Sequence, residues 1–152
     1  MDTTRNDSSK DCLIEALLEL KALQDFISNS STKYFGKLLP KLIGADTIPF
    51  FLSTKEGLLT LTGDDFNKKT GKSTCFSTKY FRIESILKES GCVIVSLLMP
   101  LDIHGEHTKN ICDCIQLKKT STCVTIDFSC ICAIQPLELE LLKRKIIVEP
   151  KW

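Results

Sequence analysis

The chain has 152 residues, 43% of them hydrophobic and 26% charged, with a formal net charge of +1. That length supports one domain with a real core, and that composition excludes a disordered chain. The charge excludes a general electrostatic pull towards nucleic acid or anionic lipid, and no apolar run approaches the ~20 residues that span a bilayer. Positions 1–10 are polar, lack the apolar core of a secretory signal, and are expected to be disordered. The protein is therefore read as made in a cytoplasm, where its thiols stay reduced.

One domain is expected over 11–152. It has a helix at about 12–27, a β domain at about 47–136 and a C-terminal extension over 137–152. Asp11 is placed to cap the helix. Leu13, Leu17, Leu20 and Ile27 share one helical face, with Ile14 and Leu18 beside it and Glu15, Glu19, Lys21 and Asp25 elsewhere. Residues 33–46 carry two glycines and a proline and read as a connection. From Thr47 the pattern becomes β. Residues 48–53 form a short apolar run, 58–62 alternate, and 64–74 read as a polar loop. Residues 81–88 alternate and face the continuous apolar run 92–99 across a turn at 88–91, which predicts a hairpin. A polar loop at 102–110 precedes a second expected hairpin, 111–119 with 122–134, turning at 119–121. Pro136 ends the last long strand, and the apolar patch 146–148 is read as one more strand or a docked tail. The fold class is mainly β: an antiparallel β-sandwich-like domain with an N-terminal amphipathic helix.

Eight cysteines make up about 5% of the chain, below the roughly 8–10% of disulfide scaffolds. Six lie between Cys92 and Cys132, four of them in the pairs Cys112/Cys114 and Cys130/Cys132. Strand alternation sorts them. Cys130 and Cys132 fall on the face of Val124, Ile126 and Phe128, so they are expected in the core, as is Cys92. Cys112, Cys114 and Cys123 fall on polar faces. Cys12 opens the helix and Cys75 ends a polar loop. Buried free thiols behave as small hydrophobes, whereas ordinary cytosolic domains avoid exposed ones. Cys12, Cys75, Cys112, Cys114 and Cys123 are therefore the candidates for disulfide or assembly contacts.

Other motifs carry less. Gly71-Lys72-Ser73 resembles the end of a phosphate loop, but Phe66 stands where its first glycine belongs. The two Cys-x-Cys pairs supply enough thiols for zinc on count, giving a thiol-rich metal-binding module as the alternative reading. Their one-residue gaps differ from zinc knuckles, so no metal ligand and no cofactor is assigned. A cysteine nucleophile paired with His104 or His107 is a third reading without a motif behind it. No catalytic residue is assigned, and the chain is read as a non-enzyme.

Ser121-Thr-Cys-Val-Thr-Ile-Asp-Phe-Ser-Cys-Ile-Cys-Ala-Ile-Gln135 resembles the C-terminal signature of the CotY/CotZ/ExsY family of spore coat and exosporium proteins. Cys75-Phe-Ser-Thr-Lys-Tyr-Phe-Arg-Ile-Glu-Ser85 is similar to their central segment. The helix from Cys12 and the stretch Thr47-Ile-Pro-Phe50 also look alike, so the resemblance spans most of 12–135. It implies a structural protein synthesised in the mother-cell cytoplasm and deposited on the endospore surface, in coat, crust or exosporium. It further implies self-assembly into oligomers, hexameric or lattice-forming, stabilised in part by disulfides. The implied partners are further copies and other coat or exosporium proteins, with no nucleic acid and no membrane. The chain departs from the family pattern in its Lys- and Leu-rich tail over 137–152, longer than the family's, and in two thiol positions. No cysteine cluster follows the helix in 26–35, and Pro136 stands where another cysteine usually follows. Both imply sparser covalent linkage.

Overall fold

The computed structural model describes residues 3–28, 34–35, 38, 46–137 and 147–148. The connection at 33–46 and the extension at 137–152 fall mostly outside them. Helix α1 (Thr3–Ser28) comes first. Leu13, Leu17, Leu20 and Gln24 recur at helical spacing and are all buried. The helix begins at Thr3, so positions 3–10, expected to be disordered, lie in helix, and Asp11 is inside it, not at its cap. The stretch 3–10 has neither Gly nor Pro, and extending a docked helix needs no new nucleus.

The main sheet follows the order β2 (Gly57–Leu58), β1 (Phe50–Thr54), β5 (Phe81–Leu87), β6 (Cys92–Leu101), β7 (Gln116–Asp127), β9 (Ile147–Val148). A further strand, β8 (Ala133–Pro136), also pairs with β1. All these pairings are antiparallel except β7 with β9. A separate hairpin joins β3 (Leu61–Asn67) to β4 (Lys72–Thr78). The fold is mainly β and antiparallel, with one N-terminal helix, as the sequence indicates. No helix among the described residues is long and apolar enough to cross a membrane.

The expected hairpin across 88–91 forms between β5 and β6, with Gly91 at φ +70 in the turn. β6 reads as continuously apolar because both of its faces are covered. Val93, Val95 and Leu97 meet α1, Phe50, Phe81 and Phe76 in the larger core cluster. Leu98 meets Phe51, Tyr80, Cys114 and Leu117 in a smaller one.

Two expectations fail. Residues 64–74 are not a loop but most of the β3–β4 hairpin, turning where Gly71 N–H bonds the Asn67 carbonyl at 2.8 Å. Gly63 and Phe76, with half-buried Leu61 and buried Thr78 at the hairpin base, face inward, whereas 66–75 are exposed, so the apolar signal is faint. The hairpin expected to turn at 119–121 is instead one strand, β7. Residues 120–122 bulge from the ladder between the Leu98–Lys119 and Ser96–Cys123 pairs. Thr120 Oγ1 donates to the Leu97 carbonyl at 2.7 Å, and Thr122 Oγ1 to the Asp64 carbonyl at 3.1 Å. The hydroxyl-rich stretch that resembled a turn thus serves as a bulge that fastens the β3–β4 hairpin.

Candidate functional site

The eight thiols are all unpaired and occupy three environments. Cys12, Cys75, Cys112, Cys123, Cys130 and Cys132 are exposed. Cys92 is half-buried, its thiol donating to the Ser90 carbonyl at 3.4 Å. Cys114 is fully buried.

Four of these placements correct the alternation argument. Cys130 and Cys132 were expected in the core and are exposed. β7 stops at Asp127, whose carboxylate accepts from Ser129 N–H at 2.9 Å and caps a 3-10 turn, Phe128–Cys130. Three residues per turn put Phe128 and Ile131 on one face, and both are buried, which turns Cys130 outward. Cys132 lies past the turn, its N–H bonded to the Ser53 carbonyl at 2.7 Å. Cys114 was expected to face solvent and is buried. Residues 111–113 are turn, not strand, because the Asn110 side chain accepts from Cys112 N–H at 2.9 Å. The chain then folds Cys114 under Tyr80 and Leu117. Cys92, also expected in the core, is only half-covered because it opens β6 at a turn.

Burial pushes the Cys114 thiol above its ordinary range, partly offset by its contact with the Gln116 backbone. Burial likewise raises the Tyr80 phenol well above its usual value, and the neighbouring Cys114 thiol adds to the shift. No donor–acceptor pair of hydrogen-bond geometry closes between them, so Tyr80 Oη is buried without a partner among the described residues.

The two histidines do separate jobs. Asp102 Oδ1 accepts from Glu106 N–H at 3.0 Å and His104 N–H at 2.8 Å. These bonds, the Glu106 contact first, hold the Asp102 carboxyl below its usual range and close the loop. His107 Nε2 accepts from Ser77 N–H at 3.3 Å, and Nδ1 lies 3.4 Å from the Pro100 carbonyl. Both ring nitrogens are engaged with backbone, so His107 ties β4 to β6 and is not poised as a base for a thiol. Gly71-Lys72-Ser73 leads into β4, not into a helix. Among the described residues no three His, Cys, Asp or Glu side chains converge as metal ligands would.

Two surface features escape the sequence pattern. The outer face of α1 exposes Leu18, Leu23 and Phe26, the last 63% accessible. The β3–β4 tip exposes Phe66, 59% accessible, beside Lys68, Lys69 and Lys72. The wheel of α1 holds a signal for the first, since Leu18, Ala22 and Phe26 recur every four residues opposite the buried stripe. Nothing separates Phe66 from a loop phenylalanine before the hairpin register is known.

The family described as Spore coat protein Z matches residues 1–139. Spore coat protein Z of Bacillus subtilis (strain 168) is 29% identical over 147 residues, covering 91% of this chain and 97% of that protein. No solved structure matches.

Proposed function

The chain belongs to the spore coat protein Z family, and from that premise we propose that it is a non-enzymatic structural protein of the endospore coat that assembles with itself and with other coat proteins. It is synthesised in the mother cell and laid down on the spore surface. Six exposed thiols, one on the helix and five on the β domain, carry this reading. So many accessible thiols are a liability for a dispersed cytosolic protein and an asset for one destined for an oxidising surface. Cys12, Cys75, Cys112 and Cys123 are retained as linking candidates. Cys130 and Cys132 join them by exposure, and Cys114 leaves because it is sealed.

Each link forms when two thiols from neighbouring copies give up two electrons and two protons to an oxidant such as dioxygen. Thiol-poor segments around the helix leave a share of the cohesion to non-covalent packing, in oligomers that close or extend as sheets. Electron microscopy of the recombinant protein, with reducing and non-reducing gels on the same material, tests both parts. Rings or sheets, with a gel ladder that collapses in reductant, are expected. A dispersed monomer under oxidising conditions sinks the assembly reading, and sheets that run as monomer without reductant sink the disulfide part.

A further inference from the structure

The outer face of α1 and the tip of the β3–β4 hairpin are complementary in charge and in apolar content. On α1, Leu18, Ala22 and Phe26 form an exposed row, flanked on the same face by exposed Glu15 and Glu19. At the tip, exposed Phe66 is followed by exposed Lys68, Lys69 and Lys72. Among the described residues none of these five charged side chains makes an ion pair, whereas Lys21–Asp25, Arg82–Glu84, Lys118–Asp65 and Lys119–Asp46 do. Exposed aromatic rings beside unpaired charge are what a partner surface offers, not what a monomer needs.

The two patches belong to different elements. α1 packs on β5 and β8. The hairpin is fastened to β6 and β7 through Gly63, Thr122 and Lys118. Phe66 and Phe26 are both largely open to solvent, so the patches do not cover each other within one copy.

The geometry points to a head-to-tail contact in which the β3–β4 tip of one copy docks on the outer face of α1 of a second copy. Phe66 enters the Leu18–Ala22–Phe26 row, and the tip lysines meet Glu15 and Glu19. Because donor and acceptor patches differ, the contact is heterologous. It leaves a tip and a helix unsatisfied at each end, so it propagates into a ring or a sheet instead of stopping at a dimer. This inference rests on the self-assembly reading and names the surfaces that carry its non-covalent part.

The test uses the full chain with reductant throughout, so that disulfides cannot contribute. One variant carries Glu15→Lys and Glu19→Lys. A second carries Lys68→Glu, Lys69→Glu and Lys72→Glu. All five side chains are exposed, so circular dichroism and melting should match the unmodified protein. Sedimentation velocity should show that either variant alone needs about tenfold more protein to assemble, or fails to assemble. Mixing the two should restore assembly, because the basic helix of one meets the acidic tip of the other and the reverse. Raised salt should weaken assembly of the unmodified protein, since exposed charges are screened within ~8–10 Å. Variants that assemble alone like the unmodified protein overturn the contact, and so does loss that mixing fails to restore. An unmodified protein that assembles only when oxidised also overturns it while leaving the disulfide reading intact. One that stays monomeric under every condition removes the assembly reading itself.

Discussion

Gln24 on the helix donates its side-chain N–H to the main-chain carbonyl of Ile83 at 2.7 Å, across 59 residues of sequence. Its Oε1 also accepts from Ile48 N–H at 3.4 Å. Ile83 stands where the β5–β6 register slips, so the amide serves a carbonyl at an irregularity of the ladder. One buried amide therefore joins α1, the entry to β1 and β5. Gln24→Leu keeps the bulk but strips both backbone groups of their partner. The expected cost is about 1–3 kcal/mol in urea unfolding, with loss of exchange protection at the Ile48 amide. Unchanged stability would mean that the apolar stripe alone docks the helix.

Gly63 is required for close approach, not for backbone freedom. A Cβ there would lie 3.0 Å from Leu97 Cδ1, 3.1 Å from Phe76 Cζ and 3.2 Å from Thr122 Cγ2. All three belong to packed side chains, so none can yield without disturbing the hairpin seat. Gly63→Ala should cost about 1–3 kcal/mol and lower the melting temperature. Glycine at 57, by contrast, meets nothing within 4 Å, so a Cβ there has space, although its φ of +115 strains any other residue.

The elements with the strongest periodicity are the ones that the sequence revealed. Leu13, Leu17 and Leu20 set the helix, and the alternation of 81–88 against the apolar 92–99 set the β5–β6 hairpin. Errors arose where polar side chains bond to backbone. Thr120 and Thr122 turned a presumed loop into a bulge, Asn110 made a turn of a presumed strand, and Asp127 ended β7 early. Each event shifts side-chain parity, and a shift of one residue exchanges inside for outside. The thiol assignments depended on parity across those breaks, so Cys114, Cys130 and Cys132 inverted together. The β3–β4 hairpin was hidden for a different reason: its tip, 66–75, is exposed throughout, and only its base, with Leu61, Gly63, Phe76 and Thr78, meets the core.

Tyr80 should be dispensable as a phenol. Its hydroxyl is buried with no partner among the described residues, so Tyr80→Phe removes an uncompensated polar group and should raise stability at neutral pH by up to about 1 kcal/mol. The pH dependence follows from the raised values. For both Tyr80 and Cys114 the fold favours the neutral form. Their stabilisation is therefore complete below the unfolded values, about 8.5 for a thiol and 10 for a phenol, and is lost as pH rises from there through the folded values. Thermal melts between neutral and strongly alkaline pH should fall in both ranges. Cys114→Ala should flatten the lower part and Tyr80→Phe the upper. A fall of the same shape in all three proteins would place the alkaline weakness elsewhere.

Thiol accessibility separates the placement seen in the fold from the one expected from alternation. Treatment of the reduced, assembly-free protein with a small alkylating agent, read by peptide mass spectrometry, should modify Cys12, Cys75, Cys112, Cys123, Cys130 and Cys132 first. All six are exposed. Cys92 should follow more slowly, since it is half-covered and its thiol is held by the Ser90 carbonyl. Cys114 should resist until denaturant is added, because it is sealed from the reagent and burial disfavours the thiolate that reacts. The decisive pair is Cys112 and Cys114. A strand would present both to the reagent at similar rates, whereas the Asn110-nucleated turn exposes the first and buries the second. Protection of Cys130 and Cys132 together with rapid labelling of Cys114 would restore the strand reading and remove the 3-10 turn capped by Asp127.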